Sequence, residues 1–387
     1  MTQWKIPLFD VDFGPEEDEA VRRPLRAGWL TMGREVQELE SELCAASGAR
    51  HAIAVSNCTA ALQMACTALG IGNGDEVLCP TLTFVATANA PVTLGAKVRF
   101  CESIGADDLT IDPDSIRASI GPQTKAVMAV HYAGFSCNME PILTLAAEHG
   151  TPVIEDCAHA LFTFHRGKCL GLHGRVGCFS FFSNKNITCG EGGALLTDDE
   201  PLAKKLRLLR SHGMTTLTLD RHEGHARSYD VMIPGFNFRM DEIRAALLRA
   251  QLKKLPRYLE RRRELFCRYR ERLRGSPVTL PFSNRPAEEL ASTSVHILPV
   301  LLPAGAEREN VVSYLRNAGV QTSVHYPPVH TFAAYRGLAQ KLERTERLAE
   351  RELTLPLYPG MHDQDVDFVV DSLTQALDHT SDRCLRV

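Results

Sequence analysis

The chain has 387 residues, 44% of them hydrophobic and 23% charged, with a formal net charge of −4; that length exceeds one ordinary core and predicts two domains, one of them large. So small a net charge gives no broad electrostatic reason to hold nucleic acid or an anionic membrane, and no apolar run approaches the ~20 residues that span a bilayer. The twelve cysteines are scattered, with no Cys-x-x-Cys spacing, so reduced, buried thiols in a cytoplasmic protein are expected, not a disulfide framework or a zinc site. The opening residues, MTQWKIPLFDVDFGPEEDE, bring acids early and contain no apolar segment, which is not the pattern of a secretory leader.

In chain order, Val36, Leu39 and Leu43 recur at helical spacing in REVQELESELCAAS, and the apolar run 51–55 follows as a buried strand. Next, SNCTAALQMACTALGIGNGDE reads as a turn and then a helix from Thr59 to about Leu69, ended by Gly70, Gly72 and Gly74. A strand-to-helix turn gathers free backbone N–H groups and the positive end of the helix dipole, which suits a phosphate; an ordinary N-cap by Ser56, Asn57 or Thr59 explains the same residues. Further β-prone runs at 76–78, 97–100, 125–130, 152–154, 178–182 and 194–196 alternate with helical segments such as 83–94 and 141–149. This pattern predicts an α/β fold, with a three-layer large domain around a mixed, mostly parallel sheet of about seven strands.

In such sheets ligands collect beyond the carboxyl ends of the strands. Three features fall there: the turn at Ser56–Ala60, the acids Glu155 and Asp156 after the run PVI, and Lys185 after CFSFF. A lysine at the end of a buried strand is desolvated, which lowers its pKa and makes its amine a usable nucleophile. A buried carboxylate at Asp156 needs a cationic partner. An amine, a phosphate cup and an acid able to keep a pyridine nitrogen protonated together meet the needs of pyridoxal 5′-phosphate. Phe84, in CPTLTFVATANA, is placed either to lay its ring on that pyridine or to pack in the core.

The segments IEDCAHA, CFSFFSNKNITCGEGGALLT and GFNFRMDEIRAALLRAQLKKL, with GWLTMGREVQELESEL before them and VHYPPVH and LTLPLYPGM after, resemble the signatures of the DegT/DnrJ/EryC1/StrS sugar aminotransferases. The resemblance runs from about residue 5 to about 375 and implies a fold-type I pyridoxal-phosphate enzyme. It implies that Lys185 holds the cofactor aldehyde and then moves the substrate proton, and that Asp156 pairs with the ring nitrogen. His159 would lie near the ring oxygen, Phe84 would stack, and Cys58, Thr59 and Ser180 would cup the phosphate. Asn237 would reach the phosphate of a neighbouring subunit, making a homodimer with shared sites. His325, Tyr326 and His330 match positions near the substrate, although a proline-fixed structural loop accounts for them equally. Cys58 departs from the glycine common in that turn, and 162–177 departs from the usual stretch there.

The implied reaction moves an amino group from an amino acid, with L-glutamate expected, to a keto group of a nucleotide-linked deoxysugar, in two half-reactions through pyridoxamine phosphate. An amino-cyclitol or other non-nucleotide ketone is the alternative acceptor, and a non-catalytic cofactor-binding regulator the alternative class. Between Lys185 and Asn237, RSHGMTTLTLDRHEGHARSYDV reads as a loop whose Arg221 and Arg227 could meet the diphosphate; His222 and His225 make a weaker metal pair.

From Met240 a long, arginine-rich helical pattern begins, which Pro256 is expected to kink or divide. The domains are accordingly drawn at 1–255 and 256–387. The second is a smaller α/β domain with an apolar run at 295–302, a helix at 307–317, an extended run at 321–324, helices at 342–352 and 363–377, and a loose tail from 379.

Overall fold

Short β-prone runs separated by helical segments can bury both faces of every strand only in a sheet covered on both sides. The computed structural model, which describes residues 4–216, 228–338 and 341–384, has that arrangement. Its main sheet contains β1 (His51–Val55), β2 (Glu76–Pro80), β3 (Lys97–Cys101), β4 (Thr124–Val130), β5 (Val153–Asp156), β8 (Val176–Ser180) and β9 (Gly193–Thr197); β6 (Phe164–His165) and β7 (Lys168–Cys169) form a small separate hairpin. The spatial order is β1-β9-β8-β5-β4-β2-β3. Only β9 runs against its neighbours, pairing antiparallel with β1 and β8, while the other contacts are parallel.

Side-chain alternation along the strands divides the apolar mass into two layers. Ile53 of β1 and Met128 of β4 join the helices Cys58–Ala68 and Glu200–Arg210 on one face, whereas Ala54 and Val127 face helices on the other. The parallel order brings the carboxyl ends of β1, β2, β5 and β8 to one edge of the sheet, where the site forms. Of the eleven cysteines whose side chains are described, nine are buried and none is disulfide-bonded. Among the described residues no helix is long and apolar enough to cross a membrane.

Several expectations are corrected. The helix Glu242–Arg272 is unbroken, with Pro256 inside it. Leu248, Leu255 and Leu259 anchor its first part in one core, and Leu265, Phe266 and Tyr269 anchor its last turns in a second. Packing at both ends outweighs the one backbone bond that proline removes. In the C-terminal region β10 (Leu298–Leu301) pairs antiparallel with β11 (Glu352–Leu355), a strand the sequence pattern concealed because it follows directly on the helix Glu343–Arg351. The extended run at 321–324 bridges at Ser323 to Thr354, and the Gln321 N–H donates to the Ile6 carbonyl at 3.0 Å. The last helix, Asp363–Cys384, continues through most of the expected tail.

Candidate active site

Lys185 lies in the turn after β8, its N–H donating to the Phe182 carbonyl at 2.9 Å. The next residue fixes a histidine beside it. Asn186 Nδ2 donates to the Ser294 carbonyl at 2.9 Å, and its Oδ1 accepts from His296 Nδ1 at 2.7 Å. With its proton on Nδ1, His296 presents the Nε2 lone pair to Lys185 Nζ at 3.5 Å. Burial brings the lysine amine down from 10.5 to about 8, against the opposing pull of Asp156. The amine is therefore partly neutral near physiological pH.

Asp156 ends β5 and is 5% exposed. Its Oδ2 accepts from Thr87 Oγ1 at 2.8 Å and its Oδ1 from the Ala158 N–H at 3.1 Å. Desolvation still holds its pKa above the usual aspartate range. The carboxylate has hydrogen-bond donors and feels the Lys185 amine, but among the described residues it forms no ion pair, so a cationic ligand atom in the cavity would further stabilise its charged form.

Asn57 caps the helix Cys58–Ala68, accepting from Ala60 N–H at 2.8 Å. Among the described residues no hydrogen bond engages the N–H groups of Cys58 and Thr59, which lie at the positive end of the helix dipole. Gly193, paired with both Val55 and Ser180, is required here because a Cβ on it would fall 2.5 Å from the Asn57 backbone. Cys58 has no left-handed backbone and is buried, with its thiol pKa pushed well up by desolvation.

Phe84 is 56% exposed at the cavity rim, its ring centroid 5.8 Å from that of Tyr326. Such exposure is not core packing, and it leaves a ring face available to a planar ligand. His159 Nδ1 accepts the Ala133 N–H at 3.3 Å, so the proton sits on Nε2 and points to Tyr326 OH at 3.0 Å. The Tyr326 proton is thereby left to donate elsewhere. Burial keeps His159 neutral by depressing its pKa well below 6.5. His325 Nδ1 lies 2.9 Å from Thr354 Oγ1, which donates to Glu352 at 2.6 Å.

One cavity of about 600 Å³ is lined by Cys58, Thr59, Phe84, Asp156, His159, Ser180, Lys185, His325 and Tyr326. Four other residues singled out in the sequence are not among them. His330 is buried between Thr81 Oγ1 at 2.7 Å and Glu346 at 2.9 Å. Asn237 is exposed and bridges to Ser211. Arg221 and Arg227, like the His222/His225 pair, lie outside the described residues. Sequence reasoning missed Thr87 and His296. Thr87 had a signal, since it stands one helical turn after Thr83 in a segment already suspected; His296 had none, being embedded in an apolar run.

These donors fit pyridoxal 5′-phosphate: free N–H groups and Ser180 for a phosphate, an acid for a ring nitrogen, an amine for an aldehyde. Residues 11–374 match the DegT/DnrJ/EryC1/StrS aminotransferase family. The spore coat polysaccharide biosynthesis protein SpsC of Bacillus subtilis (strain 168) is 39% identical over 378 residues, covering 96% of this chain and 95% of SpsC. Among solved structures, the PLP form of Spr1654 from Streptococcus pneumoniae has a TM-score of 0.89 at 26% identity, covering 97% of this chain and 99% of that one. DesI, crystallised in the presence of its TDP-sugar product, has a TM-score of 0.85 at 31% identity, over 96% of this chain and 92% of its own. The chain belongs to the DegT/DnrJ/EryC1/StrS aminotransferase family and is a pyridoxal-phosphate-dependent aminotransferase.

Proposed function

We propose that this chain transfers an amino group from L-glutamate to a keto group of a nucleotide-linked deoxysugar, and that it does so in the cytoplasm as a homodimer with shared active sites. The observation that carries the chemistry is the placing of Lys185 and Asp156 on one cavity beside an open helix N-terminus. The sugar and its nucleotide are supported by the likeness to SpsC and to DesI with its TDP-sugar product.

When bound, the cofactor supplies a carbonyl that accepts the donor's nitrogen and a cationic ring that draws electrons from the substrate carbon. The chain does the rest. Cys58 N–H, Thr59 and Ser180 hold the phosphate, and Asp156, oriented by Thr87 and Ala158, keeps the ring nitrogen protonated. Phe84 covers one ring face, and His159 fixes the direction of Tyr326. Lys185 would be the base and then the acid at the substrate carbon, with the neutral His296 Nε2 placed to accept a hydrogen bond from its amine. His325 and Tyr326 line the acceptor side. Asn237, exposed and not among the residues lining its own cavity, is assigned to a partner's phosphate, and Arg221 and Arg227 to the diphosphate.

The decisive experiment incubates the purified holoenzyme with glutamate and a panel of keto-sugar nucleotides and follows products by mass spectrometry. Glutamate should bleach the yellow cofactor, and one acceptor should gain an amine. Amination of free ketones alone would overturn the nucleotide assignment.

A further inference from the structure

Lys185 lines two cavities. Besides the one it shares with Asp156, a smaller cavity of about 290 Å³ lies between the segment Asp10 to Phe13, the helix Glu242–Arg272 and the turn at Pro359 and Gly360. Its wall includes Arg262, only 2% exposed. Nη1 of that arginine donates to the carbonyls of His296 at 2.9 Å, Leu357 at 3.1 Å and Val295 at 3.5 Å. Among the described residues Nε has no hydrogen-bond partner and no hydrogen bond uses Nη2. No ion pair among the described residues includes Arg262, and burial lowers its pKa to about 10.

A buried guanidinium without an anion is strongly disfavoured, and the acids on the same wall do not serve it. Asp12 accepts from Arg257 at 2.9 Å and Tyr258 at 2.8 Å, Asp10 from the Val11 N–H at 2.8 Å, and both acids are exposed. What remains is the Nε–Nη2 edge, a planar pair of donors that matches the two oxygens of a carboxylate. The arginine and the lysine are both tied to His296, one at its carbonyl and the other at its ring. One residue therefore links the two groups, and a ligand that reaches from the lysine to the arginine has to be short. The cavity has about half the volume of its neighbour, which suits an amino-acid side chain and not a nucleotide.

We propose that Arg262 binds the distal carboxylate of a dicarboxylic amino donor whose amino end is at Lys185, and so sets the donor preference. This rests on the reading of glutamate as donor. The test mixes holoenzyme with glutamate or alanine and follows cofactor bleaching, for the wild type and Arg262→Gln, and measures the Tm shift produced by glutarate. The glutamate-to-alanine ratio of rate constants should fall roughly 10- to 100-fold in R262Q, and glutarate should raise the Tm of the wild type only. Equal losses for both donors, or equal stabilisation of both proteins by glutarate, would overturn the assignment. Should R262Q fail to fold, the wild type decides: no preference for glutarate over valerate in the Tm shift refutes the anchor. A wild type bleached by alanine and not by glutamate sinks the donor reading itself, whereas a glutamate preference left intact in R262Q sinks only Arg262.

Discussion

Glu155 and Asp156 leave β5 on opposite faces and meet opposite surroundings. Glu155 is fully buried and fully engaged: its Oε2 accepts from His131 Nε2 at 2.9 Å and the Gly171 N–H at 2.7 Å, and its Oε1 from the Gly174 N–H at 2.6 Å. Those donors outweigh desolvation and hold its pKa below the usual 4.5. Asp156, one residue on, has two donors and no ion pair among the described residues, and burial raises its pKa above 3.8 against the pull of the Lys185 amine. One carboxylate is satisfied by the fold and the other is left for a ligand. His131, Glu155 and Cys157 also lie close enough to suggest a metal. His131 Nδ1, however, accepts the Cys137 N–H at 3.2 Å while its Nε2–H donates to Glu155, so neither nitrogen has a free lone pair.

The comparison can be broken most directly by neutralising each acid. Asp156→Asn should reduce kcat by about 10²- to 10³-fold, because the amide cannot hold the ring nitrogen protonated, with little loss of folding. Glu155→Gln should act the other way, lowering stability by about 3–5 kcal/mol as an anion is withdrawn from His131 and two buried N–H groups. Urea melts and steady-state rates on both variants check this, and interchanged results would end the distinction.

The pH dependence of the cofactor-free protein sharpens it. Asp156 has a raised folded pKa, so its share of stability is complete below 3.8 and is lost as pH climbs through the folded value. Glu155 has a depressed one, so its share is present above 4.5 and disappears as pH falls through the folded value. The apo form of Asp156→Asn should therefore be more stable than wild type near neutrality and lose that advantage in acid. The deficit of Glu155→Gln should shrink over the same descent. Urea titrations at several pH values measure both.

Lys185 gives a smaller, independent reading of the same cavity. Its amine, lowered to about 8, should make the rate of cofactor uptake by the apo protein rise with pH and level off near that value. A midpoint near 10.5 would show that the amine is solvated and that the cavity does not desolvate its charges.

Much of this was legible in the chain, and unevenly so. The apolar, β-prone runs at β1 and β4 marked the sheet, and the runs ending at Asp156 and before Lys185 marked its working edge, since both signals are local. Glu155 and Asp156 were separated by the family resemblance and not by spacing, because the partners that satisfy Glu155 include Gly171 and Gly174, some 16 and 19 positions away. His296 is joined to Lys185 across 111 positions, and Arg262 to His296 across 34. Pro256 misled for the same reason. Its local cost was readable, whereas the two cores that hold the helix straight through it were not.

The finest test of the contrast lies in the residue that orients Asp156. Thr83 and Thr87 hydroxyls are 2.8 Å apart, and Thr87 donates to Asp156, so Thr83 must be the donor of the pair and Thr87's own proton is committed to the carboxylate. Thr87→Val keeps the shape and the β-branch but removes that donor, so the carboxyl pKa should rise further and the acid limb of the kcat profile should move to higher pH. A bond to a charged group contributes roughly 1.5–3 kcal/mol, and since the Ala158 N–H remains, the loss in kcat should be about tenfold or less. Thr87→Ser should restore both the rate and the limb. Thr83→Val, which leaves the Thr87 donor in place and removes only its partner, should cost less than Thr87→Val. If Thr83→Val is the more damaging of the two, Asp156 is held by something other than the Thr87 hydroxyl, and its difference from Glu155 must be sought in the helix Ala86–Val92 as a whole.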